Sequence, residues 1–571
     1  MMKRDSAMTR ALRPGAIGMA ALLCLAATVQ AQQAAPSAGD VLRSVQPPTV
    51  PTPRPADPEA VQLNKPAPAA LSTSSVRIQV RGIKVTGATV FSNDLLTSLV
   101  GDLMGKQVTL ADLQAAAQRI TDHYEQAGYA VAHAVLPAQD IVDGVVEFLV
   151  LEGRVGSSRV NNSSLVSDAQ VQAMLGGEVS QGKVVHEPSL ERKLLLLGDT
   201  PGISRATVNL QPGAQVGETD LAVAVEPGPR VSGQLDVDNH GNRYTGYHRL
   251  SSTVNVNSPL GLGDQFQLRS LATDERLGNV RLGYRVPVGG SGLTVGASWS
   301  QLRYQLAREY DALDARGWSR ISSVFASYPI QRSLDHNLLA TLTYDDKSFE
   351  DRIEAVSPAA VTRKGSQVVS LALNAYGNLP TDGLVLPTYA AAVVLSQGEL
   401  DIRTPTVRSN DAATARTEGS FTKLAATGNI TLPLSGNWSL FGSGYAQFAS
   451  KNLDASEKLS LGGASGVRAY PQGETPGDEG YILSGEVRYT IPLRPVQLAG
   501  FVDAGGIRIN KNRYTTGDNE RFLSGVGASV TWAPLPTVGL KLMVASRLGS
   551  EKVKSEQDAA TRWWLQGIWR F

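Results

Sequence analysis

Alternating polar and apolar residues fill the C-terminal three-fifths of the chain, residues 229–571. Near its start, Val231, Leu235 and Val237 alternate with polar neighbours. Segments of about ten residues with period two, separated by turn residues, are typical of a membrane β-barrel with lipid outside and water inside. Only a closed barrel pairs every strand backbone group within lipid. We predict such a barrel here, with roughly 14 to 18 strands from length alone; a soluble β-sandwich or β-helix array is the alternative.

Aromatic residues recur in this region, and such residues anchor barrels at the two membrane surfaces. The tryptophans that we assign to these belts are Trp438, Trp532, Trp563, Trp564 and Trp569. The last strand pattern ends at Phe571. We therefore expect this part of the chain to contact outer-membrane lipid and, through that last strand, the barrel-assembly machinery.

A smaller unit of mixed helix and strand patterns covers residues 76–153. Alternation over 76–85 predicts a strand with one wet face. Thr109 and Asp112 form a capping-box pattern at the start of a helix. The other predicted elements are a helix after Ser92 and strands near 129–136 and 145–152. The resulting order is β-α-α-β-β.

The same order recurs in residues 154–228. Lys84 to Gly87 has a counterpart in Arg159 to Asn162, 75 positions later. Helices are predicted near 165–175 and 188–197, and strands near 206–210 and 219–225. A period of this length indicates two domains of one type in tandem. Their order and size resemble POTRA domains, which bind polypeptides by adding them to a sheet edge.

The N-terminus carries the pattern of a secretory address. Residues 1–31 combine basic residues, an apolar run and a small-x-small site at Val29 to Ala31, so we predict a cleaved signal peptide rather than an uncleaved anchor. In residues 32–46, Asp40 is a candidate cap, and Val41, Leu42 and Val45 fall on one face of a short helix. Residues 47–75 are rich in proline and predict an extended periplasmic linker. The linker is either a plain spacer or a tether for a mobile plug helix.

Composition narrows the function classes. The 571 residues carry 53 Lys and Arg against 52 Asp and Glu, a net charge of +1, which gives no general attraction to nucleic acid. The single cysteine, Cys24, lies in the predicted signal peptide, so the mature chain has no thiol chemistry. No apolar run after residue 30 approaches the length of a membrane helix, which excludes a polytopic helical membrane protein.

A search for catalytic motifs finds none that is complete. Gly105-Lys106 and Gly182-Lys183 lack the hydroxyl residue of a phosphate-binding loop. His186 and Glu187 begin a zinc-helix pattern, but Leu190 stands where the second histidine belongs. We therefore predict that the protein is not an enzyme and binds no cofactor, metal or nucleic acid.

Several local motifs follow one another along the barrel region. They include Asn257 to Asp264, Tyr328 to Ser333, Leu461 to Tyr470 and Gly500 to Gly505. Together with the plug, the linker and the two repeats, they resemble the outer-membrane transporters of two-partner secretion, the hemolysin secretion/activation family. The resemblance covers nearly all of the mature chain.

The resemblance implies sixteen antiparallel strands and a loop that folds back into the lumen. It places the loop motif at Val467, Arg468, Ala469 and Tyr470, and a strand partner motif at Phe501, Asp503 and Gly505. In the family an acidic residue of the strand motif holds the arginine, which pairs Arg468 with Asp503. Ala469 departs from the family glycine, so strain is expected there if positive φ is required. From the residues alone, a solvated Arg468 and a wetted Asp503 remain the simpler alternative.

The function implied is export. The POTRA units recognise a large exoprotein with an N-terminal secretion domain, and the exoprotein passes unfolded through the pore of a barrel in the outer membrane, with its N-terminal domains in the periplasm. A barrel-assembly factor of the same superfamily is the second hypothesis, and a passive porin is the third. Two POTRA units and a proline-tethered plug favour the exporter.

Overall fold

A computed structural model describes residues 35–45, 61–63, 77–380 and 385–571. The predicted signal peptide and most of the predicted linker lie outside the described residues. Within these ranges no helix is both long and apolar enough to cross a membrane. The first described elements are helix α1 (Ala38–Val45) and the short strand β1 (Val61–Leu63).

The first α/β unit has the predicted β-α-α-β-β core with one additional short pair of strands. Its elements are β2 (Arg77–Gln79), β3 (Gly82–Thr86), α2 (Asn93–Leu99), β4 (Gln107–Thr109), α3 (Leu110–Gln126), β5 (His133–Val135) and β6 (Val145–Leu151). Strands β3, β6 and β5 form one sheet, and β2 pairs with β4. The capping box of Thr109 and Asp112 at the start of α3 is confirmed.

The prediction of one strand over 76–85 is wrong. The chain leaves β2 at Val80, whose N–H donates to the carbonyl of Lys106 at 3.0 Å. Arg81 then donates to the carbonyl of Gly144 at 2.8 Å, which begins the pairing of β3 with β6. Alternation continues through this change of sheet, so the sequence pattern conceals it.

The second unit repeats this topology. Its elements are β7 (Arg154–Asn162), α4 (Asp168–Leu175), α5 (Glu187–Gly198), β8 (Ile203–Pro212) and β9 (Glu218–Pro227). The sheet order is β1-β8-β9-β7, so β1 from the linker region lies parallel to β8, with Val61 opposite Val208. The described part of the linker therefore forms an edge strand instead of free extended chain.

Glu152 joins the two units. Its carboxylate, 3% exposed, accepts hydrogen bonds from the backbone of Thr89 (2.6 Å) and Val90 (2.8 Å), from the Tyr124 hydroxyl (3.1 Å) and from Arg154 Nη2 (2.7 Å). Burial opposes ionisation, but these hydrogen bonds outweigh it and hold the pKa of Glu152 below its ordinary value. The carboxylate thus stabilises the fold as a charged group.

We expect Glu152→Gln to lower the free energy of unfolding of residues 77–153 by about 2–4 kcal/mol at neutral pH, because buried donors lose a charged acceptor. A lowered native pKa gives stability that is present above the unfolded pKa and lost as pH falls through the native pKa. The difference between the variant and the wild type should therefore shrink in acid. Urea-dependent hydrogen exchange of the intact protein measures this.

The half-exposed Glu147, which accepts from the Thr86 hydroxyl at 2.7 Å, provides the control Glu147→Gln. We expect this variant to change stability by less than about 1 kcal/mol. Equal losses in the two variants, or a loss at Glu152 that does not depend on pH, would contradict the assigned role.

Helix α5 and its C-terminal cap, Asp199, connect the second unit to the nearest barrel turns. Asp199 accepts two hydrogen bonds from Arg332, at 2.7 and 3.0 Å. Arg192 donates to the carbonyl of Pro329 at 2.6 Å, and Glu191 accepts from the N–H of Leu334 at 2.9 Å. These contacts fix the end of the barrel at which the soluble units lie.

Sixteen antiparallel strands close the barrel, as predicted. They are β10 (Val231–Asp238), β11 (Arg249–Asn257), β12 (Gln265–Thr273), β13 (Arg276–Val288), β14 (Leu293–Gln305), β15 (Ala315–Arg332), β16 (His336–Ile353), β17 (Ala360–Asn378), β18 (Thr388–Ile402), β19 (Gly419–Pro433), β20 (Trp438–Ala449), β23 (Glu479–Thr490), β24 (Val496–Arg508), β25 (Glu520–Leu535), β26 (Val538–Arg547) and β27 (Thr561–Arg570). Strand β10 pairs with β27 and completes the ring.

Two short strands, β21 (Leu459–Ser460) and β22 (Pro476–Gly477), pair with each other inside the long connection between β20 and β23. A short helix, α6 (Pro405–Ala413), lies in the connection between β18 and β19. Both connections leave the barrel at the end opposite the two α/β units. Large apolar residues such as Leu342, Val369 and Leu483 are exposed on the outside of the wall, as a lipid-facing surface requires.

Candidate functional site: the occupied barrel lumen

The connection formed by residues 450–478 folds back into the lumen instead of projecting outward. Its side chains Leu461, Val467 and Tyr470 are completely buried. They pack against inward residues of the wall, among them Phe501 and Leu523. This lumen loop therefore rests on an apolar patch of the wall.

The apolar patch corrects the expectation of a uniformly wet interior. Ile482, Phe501, Leu523 and Ala545 point inward from strands β23 to β26 and are almost fully buried. On this side of the barrel the inward residues are apolar instead of polar, because the lumen loop covers the wall there in place of water. Apolar residues on both faces of a barrel strand are the sequence signal for such a loop.

Arg468 lies at the centre of the loop contacts. Its Nε and Nη2 donate to Asp503 Oδ2 and Oδ1 at 2.9 and 2.7 Å, and its backbone N–H donates to Oδ2 at 3.0 Å. Asp503 is fully buried and Arg468 is 5% exposed. The simpler alternative of two solvated, separate charges is therefore wrong for this conformation.

The guanidinium has further partners that the sequence analysis missed. Nη1 donates to Glu486 Oε1 at 2.7 Å, and Nη2 donates to the Ser484 hydroxyl at 2.8 Å. The guanidinium carbon also lies 3.4 Å from the centre of the Phe501 ring. Ser484 and Glu486 are two positions apart on β23, so both point inward. Strand alternation would therefore have identified them once β23 is recognised in the sequence.

The prediction that Trp564 belongs to a membrane-surface belt is wrong. It is 4% exposed, and its indole N–H donates to the carbonyl of Arg468 at 2.8 Å inside the lumen. Trp438, Trp532, Trp563 and Trp569 are exposed on the barrel. Trp564 has the opposite parity to its neighbour Trp563, which places it on the inner face.

The remaining motif residues shape the approach of the loop to the wall. Ala469 does not have positive φ, so the expected backbone strain is absent. Its methyl group lies against Gly525, where an added Cβ would come within 2.6 Å. Gly505 likewise leaves room for the loop, because a Cβ there would lie 3.0 Å from the Leu461 side chain. The Tyr470 hydroxyl donates to the carbonyl of Glu551 at 3.0 Å.

Helix α1 lies inside the barrel beside this loop. Ala38 donates its N–H to Asp351 Oδ1 on β16 at 2.7 Å, and Arg43 Nε donates to the Ser460 hydroxyl at 2.8 Å. Val41 and Leu42 are buried and Val45 is half-buried. Asp40 does not cap the helix alone: Ser37 and Asp40 exchange hydrogen bonds of 3.1 and 3.3 Å as a capping box.

The helix rests chiefly on the loop segment Ala455–Glu457. Gly39 allows this contact, since an added Cβ would lie 2.8 Å from the backbone nitrogen of Ser456. Arg43 also donates to the carbonyl of Ala455. The docking site of the helix is therefore made in large part by the lumen loop.

Basic residues of the wall hold the same loop segment. Lys347 and Lys423 donate to the two carboxylate oxygens of Glu457 at 2.6 and 2.5 Å. Lys364 donates to Asp454 at 2.7 Å. The acidic side chains are buried, so these ion pairs hold the segment that supports the helix.

Two cavities of about 560 and 620 Å³ lie beside the helix, within the lumen. The first touches Leu42 and Arg43 and the second touches Val45. Hydroxyl side chains line much of the first cavity: Ser298, Ser300, Ser323, Thr343, Thr427, Ser443 and Ser484. No group of residues suited to hold a metal ion occurs in the described ranges.

This fold defines a membrane β-barrel that is preceded by two α/β units and holds a loop and a helix within its lumen. The family model described as haemolysin secretion/activation protein ShlB/FhaC/HecB matches residues 217–532, and the POTRA domain, ShlB-type, matches residues 78–153. The chain belongs to this family of two-partner secretion transporters.

Individual relatives agree with this assignment. The Heme/hemopexin transporter protein HuxB of Haemophilus influenzae (strain 86-028NP) is 28% identical over 487 residues, which cover 84% of each chain. The outer membrane transporter CdiB of Dickeya dadantii (strain 3937) is 23% identical over 429 residues, 73% of each chain.

Solved structures share the fold. CdiB from Escherichia coli gives a TM-score of 0.70 at 20% identity, covering 89% of this chain and 93% of that one. BamA from Haemophilus ducreyi lacking POTRA domains 1-3 gives 0.50 at 14% identity, covering 86% and 100%.

Proposed function

We propose that this protein recognises an unfolded exoprotein through its two periplasmic POTRA units and exports it through the barrel lumen. The observation that supports this most is a sixteen-stranded wall whose interior is filled by two separate pieces, helix α1 and the lumen loop. Both are held by ion pairs and hydrogen bonds to hydrophilic wall residues, such as Lys347 and Asp351. Both lumen cavities touch the helix, and hydroxyl groups, which suit a passing polypeptide backbone, line much of the first one.

Recognition is assigned to residues 76–226. An extended partner segment adds to a free sheet edge, where backbone hydrogen bonds supply affinity and side-chain pockets supply specificity. In the first unit β3 and β5 are the outer strands of their sheet. In the second unit β1 covers β8, which leaves β7 as the other outer strand.

The partner is proposed to be a large secreted exoprotein with an N-terminal secretion domain. Relatives are named as transporters of haem/hemopexin and of hemolysin, which supports a protein cargo in general without fixing its kind. Residues 1–31 would direct the chain to the periplasm, and the barrel-assembly machinery would insert it through the strand that ends at Phe571.

Export is proposed to proceed without nucleotide hydrolysis. The partner buries apolar surface as it folds outside the cell, and this burial prevents its return. A partner variant that is unable to fold outside should therefore accumulate in the pore or the periplasm. Export of such a variant at the normal rate would refute this driving force.

Co-expression with the exoprotein of the neighbouring reading frame tests the function. We expect the exoprotein in the medium when this chain is present and in the periplasm when it is absent. The barrel-assembly alternative predicts instead that unrelated outer-membrane barrels decline when this chain is depleted. An exoprotein retained in the periplasm together with that decline would overturn the exporter.

A further inference from the structure

Three arginines stand in a row on the outer face of the barrel. Arg276, Arg303 and Arg320 lie on the neighbouring strands β13, β14 and β15, near the end away from the POTRA units. Arg303 is opposite Gly278 on one side and opposite Trp318 on the other. Each neighbouring pair of arginines is therefore diagonal in the sheet, about 7–8 Å apart at Cα.

Strand parity places all three side chains on the lipid side of the wall. Arg281, Ser300 and Ile321 line the lumen cavity, and they have the opposite parity on the same three strands. Arg276, Arg303 and Arg320 are exposed. They are outside the pore and separate from the lumen loop and helix α1.

The row has a defined height above the hydrocarbon. On each strand the arginine is four residues beyond an exposed large apolar side chain: Val280, Trp299 and Val324 respectively. Four residues of a tilted strand rise about 10 Å. The intervening outward residues, Gly278, Gln301 and Ser322, are small or polar. Arginine side chains reach several ångströms along the wall, so the guanidinium groups lie at headgroup depth.

These three guanidinium groups form no ion pair with another described residue, whereas neighbouring arginines are paired. Arg316 is bound to Glu354 at 2.7 Å, and Arg363 is bound to Glu350 at 2.7 Å. The guanidinium of Arg320 lies 5.1 Å from the centre of the Trp318 ring. Asp346 lies opposite Ser322 on the next strand, β16, and also faces outward. Among the described residues it forms no ion pair.

We propose that Arg276, Arg303 and Arg320 bind the phosphate groups of a phosphorylated glycolipid in the outer leaflet, with Trp318 against its sugar. Guanidinium groups suit phosphate because they donate two parallel hydrogen bonds. The outer leaflet is where lipid A places its phosphates, and the row faces that leaflet at the matching depth. The site does not depend on the proposed export function.

The test uses the full-length protein, folded in detergent without lipopolysaccharide, and native mass spectrometry with purified lipid A. Bis-phosphorylated lipid A should bind the wild type at least tenfold more tightly than dephosphorylated lipid A. The variant R276Q/R303Q/R320Q should lose at least tenfold in affinity for the phosphorylated form. A heat-dependent gel shift verifies that each barrel is folded.

The matched control R403Q/R408Q/R416Q removes the same charge from another part of the outer rim, where Arg403 and Arg408 already contact Asp401. It should change binding less than twofold. Equal loss in the control, or equal binding of phosphorylated and dephosphorylated lipid A by the wild type, would overturn the site. If millimolar inorganic phosphate displaces lipid A completely, the site binds free anions and not lipid. If phosphate fails to displace lipid A, the site binds the lipid.

Discussion

Replacing Arg468 or Asp503 by alanine should leave a folded, inserted barrel and lower secretion of the exoprotein at least tenfold. Each substitution removes one member of a buried ion pair, and such a loss typically costs about 3–5 kcal/mol; the remaining Glu486–Arg468 pair places Asp503→Ala at the lower end. The Arg468 side chain also binds Glu486 and Ser484, so its loss removes the contacts of the lumen loop centre to β23 as well as those to Asp503 on β24. Secretion into the medium and a heat-dependent gel shift measure the two effects.

Arg249→Ala is the matched control for this experiment. Arg249 pairs with the buried Asp238 at 2.7 Å inside the same barrel, and among the described residues it has no hydrogen bond or ion pair to the lumen loop or helix α1. We expect normal or nearly normal secretion from this variant. Normal secretion by both Arg468→Ala and Asp503→Ala would remove this pair from the export mechanism.

The substitution Gly39→Val should displace helix α1 and thereby open the pore. The branched side chain has no room, because Cβ alone comes within 2.8 Å of the Ser456 nitrogen and 3.2 Å of Asp454 Oδ1. The loop segment that it meets is held by Lys347, Lys423 and Lys364, so it does not yield easily. Helix α1 is therefore displaced, and single-channel conductance in a planar bilayer should increase severalfold, approaching that of a chain lacking residues 32–45.

Gly485→Val is the control for added bulk. Gly485 lies on the barrel wall, and an added Cβ there has no atom within 4 Å. Its conductance should match that of the wild type. If deletion of residues 32–45 leaves the conductance unchanged, the helix is not a plug and the interpretation of Gly39 fails with it.

The architecture was largely predictable because strand alternation and helix caps are local signals. Thr109 and Asp112 define the start of α3 by their own hydrogen bonds, without help from distant residues. The pairing of Arg468 with Asp503 came from family resemblance, not from the physics of the sequence. Its four further contacts depend on the registers of β23, β24 and β27, which alternation alone does not set.

The features that sequence reasoning missed are long-range contacts. Sequence alone places Trp564 at the membrane surface; its inward position becomes evident only from its hydrogen bond to the carbonyl of Arg468 in the lumen loop. The three residues of β1 carry no distinctive pattern, and it is the pairing with the edge of β8 that makes them a strand in the structure. Likewise, the apolar inner face near Phe501 follows from the loop that covers it.

The pairing of β1 with β8 limits how far helix α1 can move if it leaves the lumen during export, as the proposed function requires. It attaches the chain to the second POTRA unit only sixteen residues after Val45, so the released helix remains within about 55–60 Å of that point. A ligand confined to so small a volume has a local concentration in the millimolar range. Under the proposed function, rebinding of the released helix would then be fast and independent of protein abundance, which would limit leakage through the envelope between rounds of transport.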